Sequence, residues 1–136
     1  MSGVLGIDPG TRKVGFALVS SENGVPAALG IEPLGTLVPR LRALAQQHAI
    51  HAIALGRGTH AQQIAELLAV LGLPIVFVDE TDTTYRARAL YFADNPPRGW
   101  RRLVPLGLQL PPRPIDDYAA LLIARRYQKE HEGITA

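Results

Sequence analysis

The feature that most constrains this chain is a change of apolar period near Pro39. Before it, Val4-Leu5-Gly6-Ile7 and Val14-Gly15-Phe16-Ala17-Leu18-Val19 are short apolar runs either side of Asp8-Pro9-Gly10-Thr11. The turn pair Asn23-Gly24 then separates the second run from Ala27–Leu34. Three strands joined by tight turns predict an antiparallel meander. After Pro39, which suits the first turn of a helix, Leu41, Leu44, Ala45 and His48 recur at three- and four-residue spacing. A strand at Ile50–Leu55 follows, closed by Gly56-Arg57-Gly58. Thr59 and Gln62 have capping-box spacing and predict a helix lined by Ile64, Leu67, Leu68 and Leu71. Gly72 is placed to end that helix, Pro74 prevents its continuation, and Ile75-Val76-Phe77-Val78 reads as a buried strand. Strand, helix, strand, helix, strand is a pair of parallel crossover units. Fused to the meander, they predict an α/β fold with a mixed five-stranded sheet flanked by helices.

The last third of the chain is less regular. Asp82 or Thr83 caps a helix expected from Thr84 to about Phe92, and Ile115 to about Lys129 forms a final helix. Between them, residues 94–114 hold six of the eleven prolines, the only tryptophan and a basic cluster. A loop of this length inside a domain is typically functional, and Leu103–Leu110 is a candidate extra strand or packing segment. No repeat, linker or low-complexity stretch divides the sequence, so residues 1–136 read as one domain.

Composition excludes several classes. There is no cysteine, which removes disulfide frameworks and thiolate zinc sites. No run approaches the roughly 18 apolar residues of a membrane span, and the N-terminal run lacks the flanks of a signal peptide. The expectation is a cytoplasmic protein with no membrane partner. Net charge is only +2, yet from Arg86 to Lys129 nine basic residues face three acids. That asymmetry is read either as a polyanion-binding face, with nucleic acid the usual partner, or as a solvated basic surface.

Three carboxylates stand out. Asp8 ends the first strand, where a charged group is costly unless cations or hydrogen-bond donors meet it. It is read as a metal ligand or as an Asx-turn residue bonded toward Gly10 or Thr11. Glu80 follows the last strand, on the side where parallel units gather ligands, or is a surface acid near Arg86 or Arg88. Asp116 begins a stripe through Ala120, Ile123 and Tyr127 that faces the sheet; otherwise it serves the helix dipole. Asp117 lies about 100° further round the helix and cannot point at the same centre equally well. If the first and last parallel strands lie close together, the three acids converge. Such a set of hard oxygen donors suits Mg²⁺ or Mn²⁺, which can drive phosphodiester hydrolysis. Arg57 between two glycines either approaches a phosphate or marks a tight turn, and Trp100 either stacks on a base or packs. His48, His51 and His60 have no ligand spacing and read as surface or helix-terminal residues.

Gly6-Ile7-Asp8-Pro9-Gly10-Thr11 with Val14-Gly15-Phe16-Ala17 resembles the opening motif of the YqgF family of RuvC-like, ribonuclease H-fold proteins. Val78-Asp79-Glu80-Thr81-Asp82-Thr83-Thr84 is similar to its second motif, and Ile115-Asp116-Asp117-Tyr118-Ala119-Ala120 with Tyr127 to its third. The resemblance covers nearly the whole chain. It implies a ribonuclease H-like fold and a nuclease acting on Holliday junctions or precursor ribosomal RNA, with Asp8, Glu80 and Asp116 as metal ligands. The chain departs from the family where Gly-Leu-Pro is replaced by Gly56-Arg57-Gly58, and where an arginine after the second-motif acid is replaced by Thr81. Arg113 stands where RuvC proper has a further acid.

The expected function is metal-dependent cleavage of structured DNA or RNA, with Arg98, Trp100, Arg101 and Arg102 contacting the nucleic acid. Junction resolution would call for a homodimer, because a four-way junction has two-fold symmetry. The alternative is a non-catalytic nucleic-acid-binding module of the same fold. A kinase- or actin-like ATPase, which the opening strand also resembles, needs a second domain that 136 residues do not accommodate.

Overall fold

The structure is a computed structural model that describes residues 2–20, 26–79, 83–97, 99, 103 and 114–132, with residues 83–85 as backbone alone. Five strands form one sheet: β1 (Ser2–Asp8), β2 (Lys13–Ser20), β3 (Pro26–Pro33), β4 (Ala49–Gly56) and β5 (Ile75–Val78). Among the described residues four α-helices accompany them: α1 (Leu34–Gln47), α2 (Ala61–Leu68), α3 (Thr83–Asp94) and α4 (Asp116–His131). The strand order is β3-β2-β1-β4-β5. The β1–β2 and β2–β3 pairs are antiparallel, whereas β1–β4 and β4–β5 are parallel. This is the mixed sheet that the change of period predicts.

β1 lies at the centre, which explains its unbroken apolar run: both of its faces are covered. Leu5 and Ile7 join Val14, Phe16, Ile53 and Leu55 on the face closed by α1 and α2. Val4, Ala17, Ala54 and Val78 point the other way, against Ala120, Leu121, Ile123 and Ala124 of α4. Helix α3 packs mainly on α4, with Ala87, Tyr91 and Phe92 against Tyr118, and Leu90 reaches the sheet-face cluster. Tyr91 meets the Phe92 and Tyr118 rings edge-on at 5.3 and 5.6 Å, and the Tyr118 hydroxyl donates to Asp94 Oδ2 at 3.0 Å.

The starts of two helices and the burial of the last strand differ from the sequence expectation. Helix α1 begins at Leu34, leaving Pro39 inside it. Proline there forgoes the bond to the Gly35 carbonyl, but the earlier start brings Leu37 into a buried stripe with Leu41 and Leu44. The Leu34 N–H also bonds the Arg12 carbonyl at 3.0 Å, tying the start of α1 to the β1–β2 turn. Helix α2 begins at Ala61 with no side-chain cap, because the chain enters it through a turn in which the Ala61 N–H reaches the Gly58 carbonyl at 3.1 Å. Thr59 therefore does not cap it, and Leu67 is exposed. A single 3₁₀ turn, Ala69–Leu71, extends α2, and Gly72 ends it at φ +70°, the left-handed cap its position implied. Finally, β5 is an edge strand in which only Val78 is buried and Phe77 is 36% exposed. The proposed extra strand at Leu103–Leu110 lies almost wholly outside the described residues.

A candidate acidic centre at the C-terminal ends of the strands

Asp8 is the last residue of β1 and pairs across the ladder with Gly15 of β2. Side chains alternate faces along a strand, so Asp8 follows Val4 and Gly6 onto the side covered by α4. Gly15 shares that side with Ala17 and Val19. Its missing side chain is the opening through which α4 approaches. A Cβ at Gly15 would collide with the backbone carbonyl of Asp116 and lie 2.8 Å from the Asp116 Cβ. Asp116, the first residue of α4, is thus seated directly over the strand partner of Asp8. Gly6 does the same one step inward, where a Cβ would strike the Ala120 carbonyl and stand 2.8 Å from the Ala124 Cβ. Two small residues on adjacent strands thereby lower the N-terminal half of α4 onto the sheet and bring Asp8 and Asp116 to one rim.

Both carboxylates are half-buried. The helix N-terminus favours negative charge beside Asp116, since the first N–H groups of α4 have no partner within the helix. Asp117 is the more enclosed of the pair, at 6% exposure, and its Oδ1 accepts the Tyr118 N–H at 3.0 Å. The sequence stripe places Asp116 inward; the structure seats Asp116 over the sheet at its rim and buries Asp117 more deeply. Asp117 is a buried acid that periodicity alone missed.

The strand order sets the spacing of the strands that the three acids follow or end. β4 separates β1 from β5, so the two outer strands of the parallel set are about 9–10 Å apart and not adjacent. They remain level at their C-terminal ends, for Ile7 pairs with Leu55 and Gly56 with Val78. Arg57 leaves β4 between them, exposed, with its N–H on the Val78 carbonyl at 3.1 Å. Glu80, Arg98, Trp100, Arg101, Arg102 and Arg113 lie outside the described residues. Among the described residues no group of three or more His, Cys, Asp or Glu side chains could hold a metal ion. Asp8 and Asp116 supply two hard oxygen donors, a set that fits Mg²⁺ or Mn²⁺ and not a soft metal.

Gly6 and Gly15 were the signals available for this geometry, because glycine inside an apolar strand marks a close backbone approach. His51 has a structural role that its sequence position concealed. Its ring nitrogens lie 2.7 Å from Ser2 Oγ and 2.7 Å from Glu132 Oε2, joining the starts of β1 and β4 to the end of α4. Gln128, fully buried, adds a bond from Nε2 to the Ser20 carbonyl at 2.6 Å.

A central strand paired antiparallel on one side and parallel on the other, with α4 across one face, gives the mixed α/β fold that the comparison with solved structures identifies as RuvC-like. No family model and no curated protein matches the sequence. Among solved structures, the chain is similar to Thermus thermophilus RuvC in complex with a Holliday junction substrate, with 18% identity and a TM-score of 0.59 over 96% of this chain and 97% of that one. A second Thermus thermophilus RuvC structure matches over 95% and 96% of the two chains at 20% identity and a TM-score of 0.48. A glucokinase of the ROK family from Streptomyces griseus, in complex with glucose and AMPPNP, matches 64% of this chain and 36% of its own at 15% identity and a TM-score of 0.44.

Proposed function

We propose that this chain is a divalent-metal-dependent endonuclease of the YqgF type, hydrolysing phosphodiester bonds in structured nucleic acid. The observation that carries the reading is the seating of Asp116 over Gly15, the strand partner of Asp8. Asp8 and Asp116 would hold Mg²⁺ or Mn²⁺, and Glu80, two residues after Val78 in sequence, would complete the ligand set. Held there, the metal would supply Lewis-acid charge and make a nearby water more acidic. The protein's own part is to hold two carboxylates at a solvent-open rim, with the α4 N-terminus offsetting their mutual repulsion. Arg57 stands at that rim to orient the phosphate, with Arg98, Arg101, Arg102 and Trp100 holding the flanking backbone and bases.

The substrates proposed are branched DNA, on the strength of the junction-bound RuvC neighbour, and precursor ribosomal RNA, on the motif resemblance. Action on a junction would place two copies of this single domain about its two-fold axis. The proposed location is cytoplasmic. The departures at Gly56-Arg57-Gly58, Thr81 and Arg113 bear on substrate choice, because they change the charge around the acids and not the acids themselves.

The test is a cleavage panel of four-way junction, single strand and precursor ribosomal RNA, with Mg²⁺ or Mn²⁺ and with chelator. Metal-dependent cleavage of at least one substrate is expected, with Asp8→Asn lowering its rate about a hundredfold or more. Binding without cleavage under every condition would instead identify the non-catalytic module of the same fold.

A further inference from the structure

A second charged surface lies away from the acidic rim. Between the end of β5, α3 and the C-terminal half of α4 there is a cleft of about 420 Å³. Arg86 of α3 and Arg125, Arg126 and Lys129 of α4 line it, against the two acids Asp79 and Glu130. Arg125 and Lys129 are one helical turn apart, so their side chains rise from the same face of α4. The Arg126 guanidinium donates to the Asp79 backbone carbonyl at 2.5 Å, fixing α4 against the end of β5 and anchoring one wall.

We propose that this cleft is a track for the phosphodiester backbone of a nucleic-acid strand that continues beyond the acidic rim; the inference rests on the nuclease reading above. Three observations carry it. The cations outnumber the acids two to one, in a sequence whose net charge is only +2. The cationic groups follow the axis of α4, which suits a linear polyanion better than a compact one. The cleft also begins at Asp79, immediately past the strand end that is level with Gly56 and hence with the rim carrying Asp8. The Asp79 edge of the cleft is two strand spacings, about 10 Å, from β1. Arg125 and Lys129 lie about 14 and 20 Å along α4 from Asp116, so a strand with one phosphate at the rim reaches them with phosphates further along its backbone.

The test uses the 136-residue chain without divalent ions and a fluorescently labelled 20-nucleotide single strand, titrated by anisotropy over a series of NaCl concentrations. The variant Arg125→Gln/Lys129→Gln is compared with wild type and with Arg42→Gln, which lies across the sheet on α1. Arg126 is left in place because it holds the Asp79 carbonyl. Affinity of the double variant is expected to fall about tenfold at fixed salt, and its log–log salt slope to flatten by about 1.4, the value for two lost phosphate contacts on a single strand. Lys129→Gln alone, at an exposed position, should show about half that flattening. Arg42→Gln should leave the slope unchanged. A double variant that binds with wild-type affinity and slope would overturn the track, as would displacement of the strand by equimolar inorganic phosphate, which would mark a small-anion site. The two readings fail separately. Weakened binding in the double variant, in a protein without metal-dependent cleavage, keeps the track and removes the nuclease. Wild-type binding in the double variant, with cleavage intact in wild type and lost in Asp8→Asn, removes the track and keeps the nuclease.

Discussion

At the scale of single residues, the acidic centre depends on an atom that is absent. Gly15 leaves room for Asp116, and any side chain there would have to displace the first turn of α4. Gly15→Ala is expected to cost about 1–3 kcal/mol by overpacking and to weaken Mn²⁺ binding, read by thermal melting and by calorimetric titration of the metal. Unchanged melting and metal binding would show that α4 does not rest on this strand. Tyr127 offers a pH-dependent test. Its phenol is pushed above the ordinary value of 10.0, chiefly by burial and secondarily by the negative charge of Glu132. The fold therefore favours the protonated form: stability is unaffected below about pH 10 and falls above it, where the unfolded chain ionises first. Tyr127→Phe should reduce that alkaline loss, measured as urea midpoints from neutral pH upward.

At the scale of elements, α4 is held at both ends by different means. Its N-terminal half is lowered onto Gly6 and Gly15, while its last turns are tied down by polar bonds from Gln128 to Ser20 and from Glu132 to His51. Enlarging Ala124 to Leu should tilt the helix, costing about 1–3 kcal/mol, and lower activity without touching an acid. His51→Ala removes both 2.7 Å contacts and, at a part-exposed site, should cost about 1 kcal/mol or less, read by chemical denaturation. These elements also explain what the sequence could and could not reveal. The order and type of every strand and helix through Val78 follow from apolar period, because the faces of β1, β2, α1 and α2 are dominated by burial. Boundaries were less legible: Pro39 argues for a helix start, but the burial of Leu37 outweighs it. The inward stripe of α4 pointed to Asp116 yet hid Asp117, since the first turn of a helix can also bury a neighbour of the stripe. The intervening position of β4 was invisible, because sequence order does not determine which parallel strand stands beside β1.

At the scale of the whole molecule, the central strand collects the chemistry. β1 ends at Asp8, β2 supplies the gap beside it, α4 supplies Asp116, and β4 and β5 end level with the rim. The fold thus brings together residues more than a hundred positions apart, and it leaves a cationic cleft on the same side as α4. Near-neutral total charge conceals this division, so binding to nucleic acid should weaken steeply with salt despite a net charge of only +2. The central claim is that Asp8 and Asp116 act as one metal-holding unit. The direct measurement is a double-mutant cycle on the rate of Mn²⁺-dependent cleavage of a four-way junction, comparing wild type, Asp8→Asn, Asp116→Asn and the double variant, each with an unchanged circular dichroism spectrum. Groups that work as a unit are strongly non-additive, so each single change should lower the rate about a hundredfold or more and the double change little further. Single variants that cleave at the wild-type rate, or losses that multiply in the double variant, would contradict the account.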